Sequence, residues 1–207
     1  MENENVPRFR RPLVPADFER MNLPREFWTA KVQTVPESVR DTVARYLLNI
    51  DTMIERGAGM LLQGSAGVGK SGIGALVCKE ARSRGYTTYF MSVWELRESI
   101  RARVPFDDTF SVLDRCRDVD VLVLDGLRQE DAAERMFNAR DMEELVVRRG
   151  ARKFVTIVTT QLGMSDINRA FPGFLEAVQG CIVAVSVQGA DLRRELNQEL
   201  QKVVLGS

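Results

Sequence analysis

Hydrophobic positions in this chain fall into short apolar runs separated by segments with helical spacing. Gly59-Met60-Leu61-Leu62-Gln63 is too short for a helix and reads as a strand, whereas Ile73, Leu76, Val77 and Ala81 share one face of a helix predicted over 71–84. Upstream, Val39, Val43, Leu47, Ile50 and Ile54 keep helical spacing from Pro36-Glu37 to Gly57, which predicts one continuous helix. Beyond Gly85, Thr87-Thr88-Tyr89-Phe90-Met91 is a β-rich second strand. Ser92-Val93-Trp94-Glu95 then reads as a capping box, opening a helix that buries Val93, Leu96 and Ile100. After a short helix ending at Arg117, the nearly all-apolar run from Val119 to Asp125 marks a strand buried on both faces of a parallel sheet.

A long helix is predicted from about Asp131 to Arg149, stopped by Gly150. A fourth strand follows over Phe154 to Thr160 and a fifth over Cys181 to Val187. The last helix carries Leu192, Leu196, Leu200 and Val203 on one stripe. Five strands alternating with helices predict an α/β fold, a three-layer sandwich around a five-stranded parallel sheet, with ligand at the carboxyl ends of the strands. Residues 1–35 read as a separate Pro- and Arg-rich arm, with Pro7, Pro12, Pro15 and Pro24 among Arg8, Arg10, Arg11, Arg20 and Arg25. The arm can dock a partner, contact a phosphate backbone, or lie along its own core and help to enclose a nucleotide base. Residues 36–207 then form one domain, which the length of 207 residues and 44% hydrophobic content also favour.

Candidate chemistry centres on Gly64-Ser65-Ala66-Gly67-Val68-Gly69-Lys70-Ser71, which matches G-x-x-x-x-G-K-[ST] between a strand and a helix. Glycines there let backbone N–H groups curl around phosphates, Lys70 reaches the β- and γ-phosphates, and the Ser71 hydroxyl ligates Mg²⁺. The helix N-terminus adds its dipole. Asp125, closing the apolar third strand, is placed to hold Mg²⁺ from the other side. ATP and Mg²⁺ are therefore the expected cofactors.

Net charge is zero, with 29 basic and 29 acidic residues, so nucleic acid would have to be bound by a local patch. Only five of the basic residues are lysines and 24 are arginines, the side chain of forked phosphate contacts, although genome composition produces the same bias. Arg97 and Arg101 share a helical face, with Arg103 and Phe106 just beyond. Such a set can grip single-stranded nucleic acid or form an ordinary solvated surface. The absence of histidine excludes a Ser-His-Asp triad and histidine metal sites. Cys78, Cys116 and Cys181 show no paired spacing, which argues against a disulfide scaffold or zinc ribbon. With no run of membrane-spanning length and Glu2 and Glu4 at the N-terminus, a soluble cytoplasmic chain is expected.

The order of these parts resembles a known family. A helix ending in Arg-Gly-Ala-Gly-Met, the glycine loop, the Trp-Glu-Leu-Arg helix, Val-Leu-Val-Leu-Asp, Thr-Thr-Gln-Leu and a late Gly-x-x-x-Arg are similar to the AAA+ (ASCE-type) P-loop NTPase domain of DnaC-type replicative helicase loaders, and of their IstB-like transposition-helper relatives. That resemblance covers about Asp17 to Leu196. It implies an ATPase that binds single-stranded DNA, a hexameric replicative helicase as partner, and ATP-dependent homo-oligomerisation. By position it gives Gln161 the sensor-1 role, Arg193 the sensor-2 role, and Arg97, Arg101 and Arg103 a DNA path.

Two departures stand out. Gly126 occupies the place of the family's second acid, so that Glu130 or Asp131 must reach in or hydrolysis is weak, and Arg169 is the nearest candidate for the arginine that completes a neighbouring site. A transposition helper, a nucleotide-gated protein that does not hydrolyse, and a P-loop small-molecule kinase stand as alternatives.

Overall fold

The computed structural model describes residues 10–101, 112–129, 139–194, 201–202 and 204. After α1 (Pro15–Arg20), helices α2 (Glu37–Leu48) and α3 (Ile50–Arg56) lead into β1 (Gly59–Gln63) and α4 (Lys70–Ser83). Next come β2 (Thr88–Ser92), α5 (Val93–Arg101), α6 (Val112–Asp118), β3 (Val121–Leu127) and α7 (Ala139–Ala151). β4 (Val155–Thr160), α8 (Met164–Ala170), α9 (Phe174–Val178) and β5 (Ile182–Ser186) complete the order.

All five strands pair in parallel, in the order β2-β3-β4-β1-β5. β4 thus lies between the strand that precedes the glycine loop and the strand that carries Asp125. Pleating sends neighbouring residues to opposite faces. Met60 and Leu62 join a core with α2, α3, α4 and the N-terminal segment, while Leu61 joins one with α5 to α9. Val121 to Leu124 are fully buried, as an all-apolar strand between two layers requires. No helix among the described residues is long and apolar enough to cross a membrane.

Local polar chemistry changes several boundaries. The helix predicted from Pro36 to Gly57 is broken at Asn49, whose Nδ2 donates to the Arg45 carbonyl at 2.8 Å and competes with the helical ladder. β3 starts at Val121, two residues later than predicted, because Asp120 turns its carboxylate to the Thr87 amide (2.8 Å) and hydroxyl (2.7 Å). The strand then continues past Asp125 to Leu127. Gly150 does not stop α7, which runs to Ala151. The predicted start of that helix near Asp131, and Leu196, Leu200 and Val203 of the last stripe, lie outside the described residues.

Residues 10–35 pack on the body through α1 and two 3-10 turns (Arg25–Phe27 and Val32–Thr34), burying Met21, Leu23 and Val35. Buried Asp17 accepts a forked contact from Arg11 (2.7 and 2.6 Å) and one from Arg82 of α4 (3.0 Å). Chiefly through the Arg11 hydrogen bond, its carboxyl is held well below the usual carboxylate range. Met21 and Asn22 exchange hydrogen bonds with Phe90 (2.8 and 3.0 Å), covering the outer edge of β2.

Candidate nucleotide-binding site

At the carboxyl ends of the strands, the glycine loop opens onto a cleft of about 350 Å³. Ala66, Gly67, Gly69, Lys70 and Ser71 of the loop line it together with Asp125, Gly126, Thr159 and Gln161 from the strand ends, Glu26 and Phe27 from the N-terminal segment, and Arg193. Val68 is buried and anchors the loop in the core. A slightly larger cavity of about 410 Å³ lies between α2, α4 and the N-terminal segment, shares no residue with this cleft and is walled mainly by apolar groups such as Leu13, Leu47 and Leu76. Phosphate chemistry therefore points to the cleft.

Lys70 is buried and donates Nζ to the carbonyls of Gly64 (2.8 Å) and Ser65 (2.6 Å), so the ammonium lies across the loop it follows. Burial lowers its pKa, the Asp125 carboxylate opposes that shift, and Arg193 adds to it. These opposed influences put all three charges in one electrostatic neighbourhood. Gly67 has φ +76°, and a Cβ there would stand 1.7 Å from Asp191 Oδ1. The chain closes on the loop at this point, since the Leu192 amide donates to the Gly67 carbonyl at 3.0 Å and the Arg193 amide to Asp191 Oδ1 at 3.0 Å. Asp191 gives no motif signal in the sequence; only the fold brings it to the loop.

β3 is irregular where it meets the cleft. Leu124 pairs with Val158 but Leu127 with Thr160, so Asp125 and Gly126 stand together opposite Thr159 in a β-bulge. Gly126 has φ +81°, in the left-handed region, with open space where a Cβ would be. A glycine in place of the second acid is thus a conformational requirement of the bulge. Gly126→Glu should cost about 1 kcal/mol, lowering the unfolding midpoint by about 2–4 °C, without raising ATP turnover. Faster turnover at unchanged stability would show that the bulge does not select glycine.

The structure brings together Lys70, Ser71, Asp125, Gln161 and Arg193. It does not bring in Arg169, which is exposed on α8 beside Asp166 at 3.7 Å. Glu130, Asp131 and Arg103 lie outside the described residues. Arg97 is half-buried on α5, Arg101 ends that helix, and Trp94 near its start is 61% exposed. Sequence reasoning missed Thr159, Glu26 and Phe27; the last two come from the N-terminal segment, where enclosure of a base was one of the open readings. Among the described residues no group of three acidic, cysteine or histidine side chains could hold a metal alone. Ser71 and Asp125 offer two oxygen ligands in the same cleft, a donor set that suits Mg²⁺, which keeps waters and shares substrate phosphates.

No protein-family model and no curated protein matches the chain. Solved structures do. A DnaI crystal structure aligns with a TM-score of 0.65 at 21% identity, over 83% of this chain and 94% of that one. The DnaC helicase loader aligns with 0.68 at 19%, over 80% and 100%. AMPPCP-bound DnaA from Aquifex aeolicus aligns with 0.57 at 17%, over 84% and 55%. At these identities the likeness is one of architecture: the chain has the AAA+ P-loop ATPase fold.

Proposed function

We propose that this chain is an ATP-dependent loader of a replicative DNA helicase, binding ATP with Mg²⁺ in the cleft and single-stranded DNA along α5. The observation that carries this reading is the convergence of the glycine loop, Lys70 and Asp125 in one cleft, on a fold that spans the whole DnaC helicase loader structure. Backbone N–H groups of residues 64–69 and the N-terminus of α4 bind the phosphates, and Lys70 takes the β- and γ-oxygens. Ser71 and Asp125 hold Mg²⁺, which when bound neutralises charge on those phosphates. Gln161 and Arg193 face the γ-phosphate position.

Because the Leu192 amide bonds to Gly67, a phosphate that moves the loop or draws Arg193 also moves the segment 192–194 beyond β5. ATP then acts through its different affinities for two positions of that segment, which sets the state of an ATP-dependent homo-oligomer and its grip on a hexameric helicase. Exposed Arg169 is available to a neighbouring subunit. Trp94, Arg97 and Arg101 supply base stacking and phosphate contacts along α5.

Gly126 favours a second reading on the same site, a nucleotide-gated switch with little hydrolysis. Steady-state ATP turnover with and without single-stranded DNA, combined with oligonucleotide binding in ATP and in ADP, separates the two. A loader shows DNA-stimulated turnover, and the switch shows ATP-dependent binding without it. DNA binding that ignores the nucleotide would sink both. Trp94→Ala with Arg97→Ala should weaken oligonucleotide binding about tenfold or more, since stacking alone is worth about 1–3 kcal/mol per base, and should make the salt dependence shallower. An unchanged affinity and slope would return α5 to a plain solvated face. Co-purification with a hexameric helicase, rather than with a transposase, separates the loader from the transposition helper.

A further inference from the structure

We infer that Thr159 is the positioning residue for Asp125, and that its hydroxyl sets the magnesium dependence of nucleotide binding; this rests on the Mg-ATP reading of the cleft. The Thr159 side chain stands on β4, between the strand of the glycine loop and the strand of the proposed metal ligand. Its residue is 2% exposed. A hydroxyl has one proton to donate. Here that proton goes to Asp125 Oδ1 at 2.7 Å, while the same oxygen accepts the Gly126 amide at 2.8 Å. One side chain therefore holds both residues of the bulge, fixing Asp125 Oδ1 and the left-handed backbone turn that aims the carboxylate.

The neighbouring threonine does different work. Thr160 Oγ1 donates to the Leu127 carbonyl at 2.8 Å and accepts the Leu162 amide at 3.0 Å, closing the far end of the bulge without touching Asp125. Two adjacent buried threonines with the same chemistry thus divide between the carboxylate and the backbone. The regular β3–β4 register would set one residue of β3 against each residue of β4. The slip between Leu124 and Leu127 is what gives Thr159 two partners. A carboxylate held by a buried hydroxyl keeps one orientation as a cation arrives, and partners of this kind typically govern metal affinity by about 10–100-fold.

The test is binding of a fluorescent non-hydrolysable ATP analogue to the full chain, with Mg²⁺ titrated from an EDTA baseline. Thr159→Val should raise the Mg²⁺ concentration for half-maximal enhancement about tenfold, read against that variant's own EDTA baseline. Thr159→Ser, which keeps the hydroxyl, should follow the wild type. Thr160→Val should lower the unfolding midpoint yet keep the wild-type Mg²⁺ dependence, which a merely structural role for Thr159 would also do. If Thr159→Val does not fold, Thr159→Ala against Thr159→Ser gives the same contrast. A folded Thr159→Val or Thr159→Ala with wild-type Mg²⁺ dependence, or an equal shift in Thr160→Val, overturns the inference and leaves the Mg-ATP reading standing. A wild-type chain that binds no analogue overturns both.

Discussion

Arg149→Leu should destabilise the domain by about 3–5 kcal/mol, the summed cost of leaving several desolvated acceptors without a donor at about 1–3 kcal/mol each. For a chain of this size that lowers the unfolding midpoint by about 10 °C or more. Arg149 is 0% exposed and, among the described residues, has no carboxylate as a hydrogen-bond partner. It donates Nη1 to the carbonyls of Cys116 (2.8 Å) and Val119 (2.9 Å), Nη2 to that of Val155 (2.6 Å), and Nε to the Thr156 hydroxyl (3.0 Å). Cys116 belongs to the last turn of α6, where carbonyls lack helical partners and carry the negative end of the dipole. The guanidinium thus caps α6 from inside the protein and ties it to the start of β4. Burial pulls its pKa down to about 9, which leaves it charged at neutral pH.

Leucine fills part of the volume but strands the buried carbonyls of Cys116 and Val155 and the half-buried one of Val119, a buried unpaired group costing about 1–3 kcal/mol. Lysine keeps the charge without the fork and should fall between. Thermal unfolding followed by circular dichroism measures the series. A leucine variant within about 1 kcal/mol of wild type would mean that these carbonyls find water or other donors.

Arg149 also marks the limit of what was legible in the chain. β1 and β3 were readable because burial on both faces leaves an apolar run, β2 and β4 because they are rich in β-branched and aromatic residues, and α4 because burial on one side leaves a period of three to four. The glycine loop was readable because its spacing is itself the chemistry. Partners that are close in space and distant in sequence leave no such trace. Asp17 meets Arg82, Arg149 meets Cys116, and Thr159 meets Asp125 across separations of 65, 33 and 34 residues. The β3 boundary failed for the same reason, because an apolar run cannot reveal that Asp120 is held by Thr87 or that the ladder slips at Gly126. Gln161 and Arg193 were located by the order of motifs and line the cleft; Arg169, the nearest candidate for the arginine of a neighbouring site, is exposed on α8 outside its own cleft.

Lys70→Ala should reduce ATP affinity by at least about 100-fold, near 2.7 kcal/mol, and leave DNA and helicase binding at the nucleotide-free level. The magnitude follows from charge-assisted hydrogen bonds to the phosphates, each worth about 1.5–3 kcal/mol. Lys70 is partly desolvated before any ligand arrives, so each contact is stronger than its exposed counterpart. Arg193 does not substitute, because it reaches the cleft from the segment beyond β5 and the loop's own cation is the one that crosses the Gly64 and Ser65 carbonyls. Those two contacts raise a competing explanation, collapse of an unpinned loop. Lys70→Met tests it, since it keeps the stem that packs against the loop and removes only the charge. Equal loss of ATP binding in the alanine and methionine variants, with unfolding midpoints near wild type, assigns the effect to the ammonium. Recovery in the methionine variant would assign it to loop order, and full ATP-dependent DNA binding by either variant would remove nucleotide control from the cleft altogether.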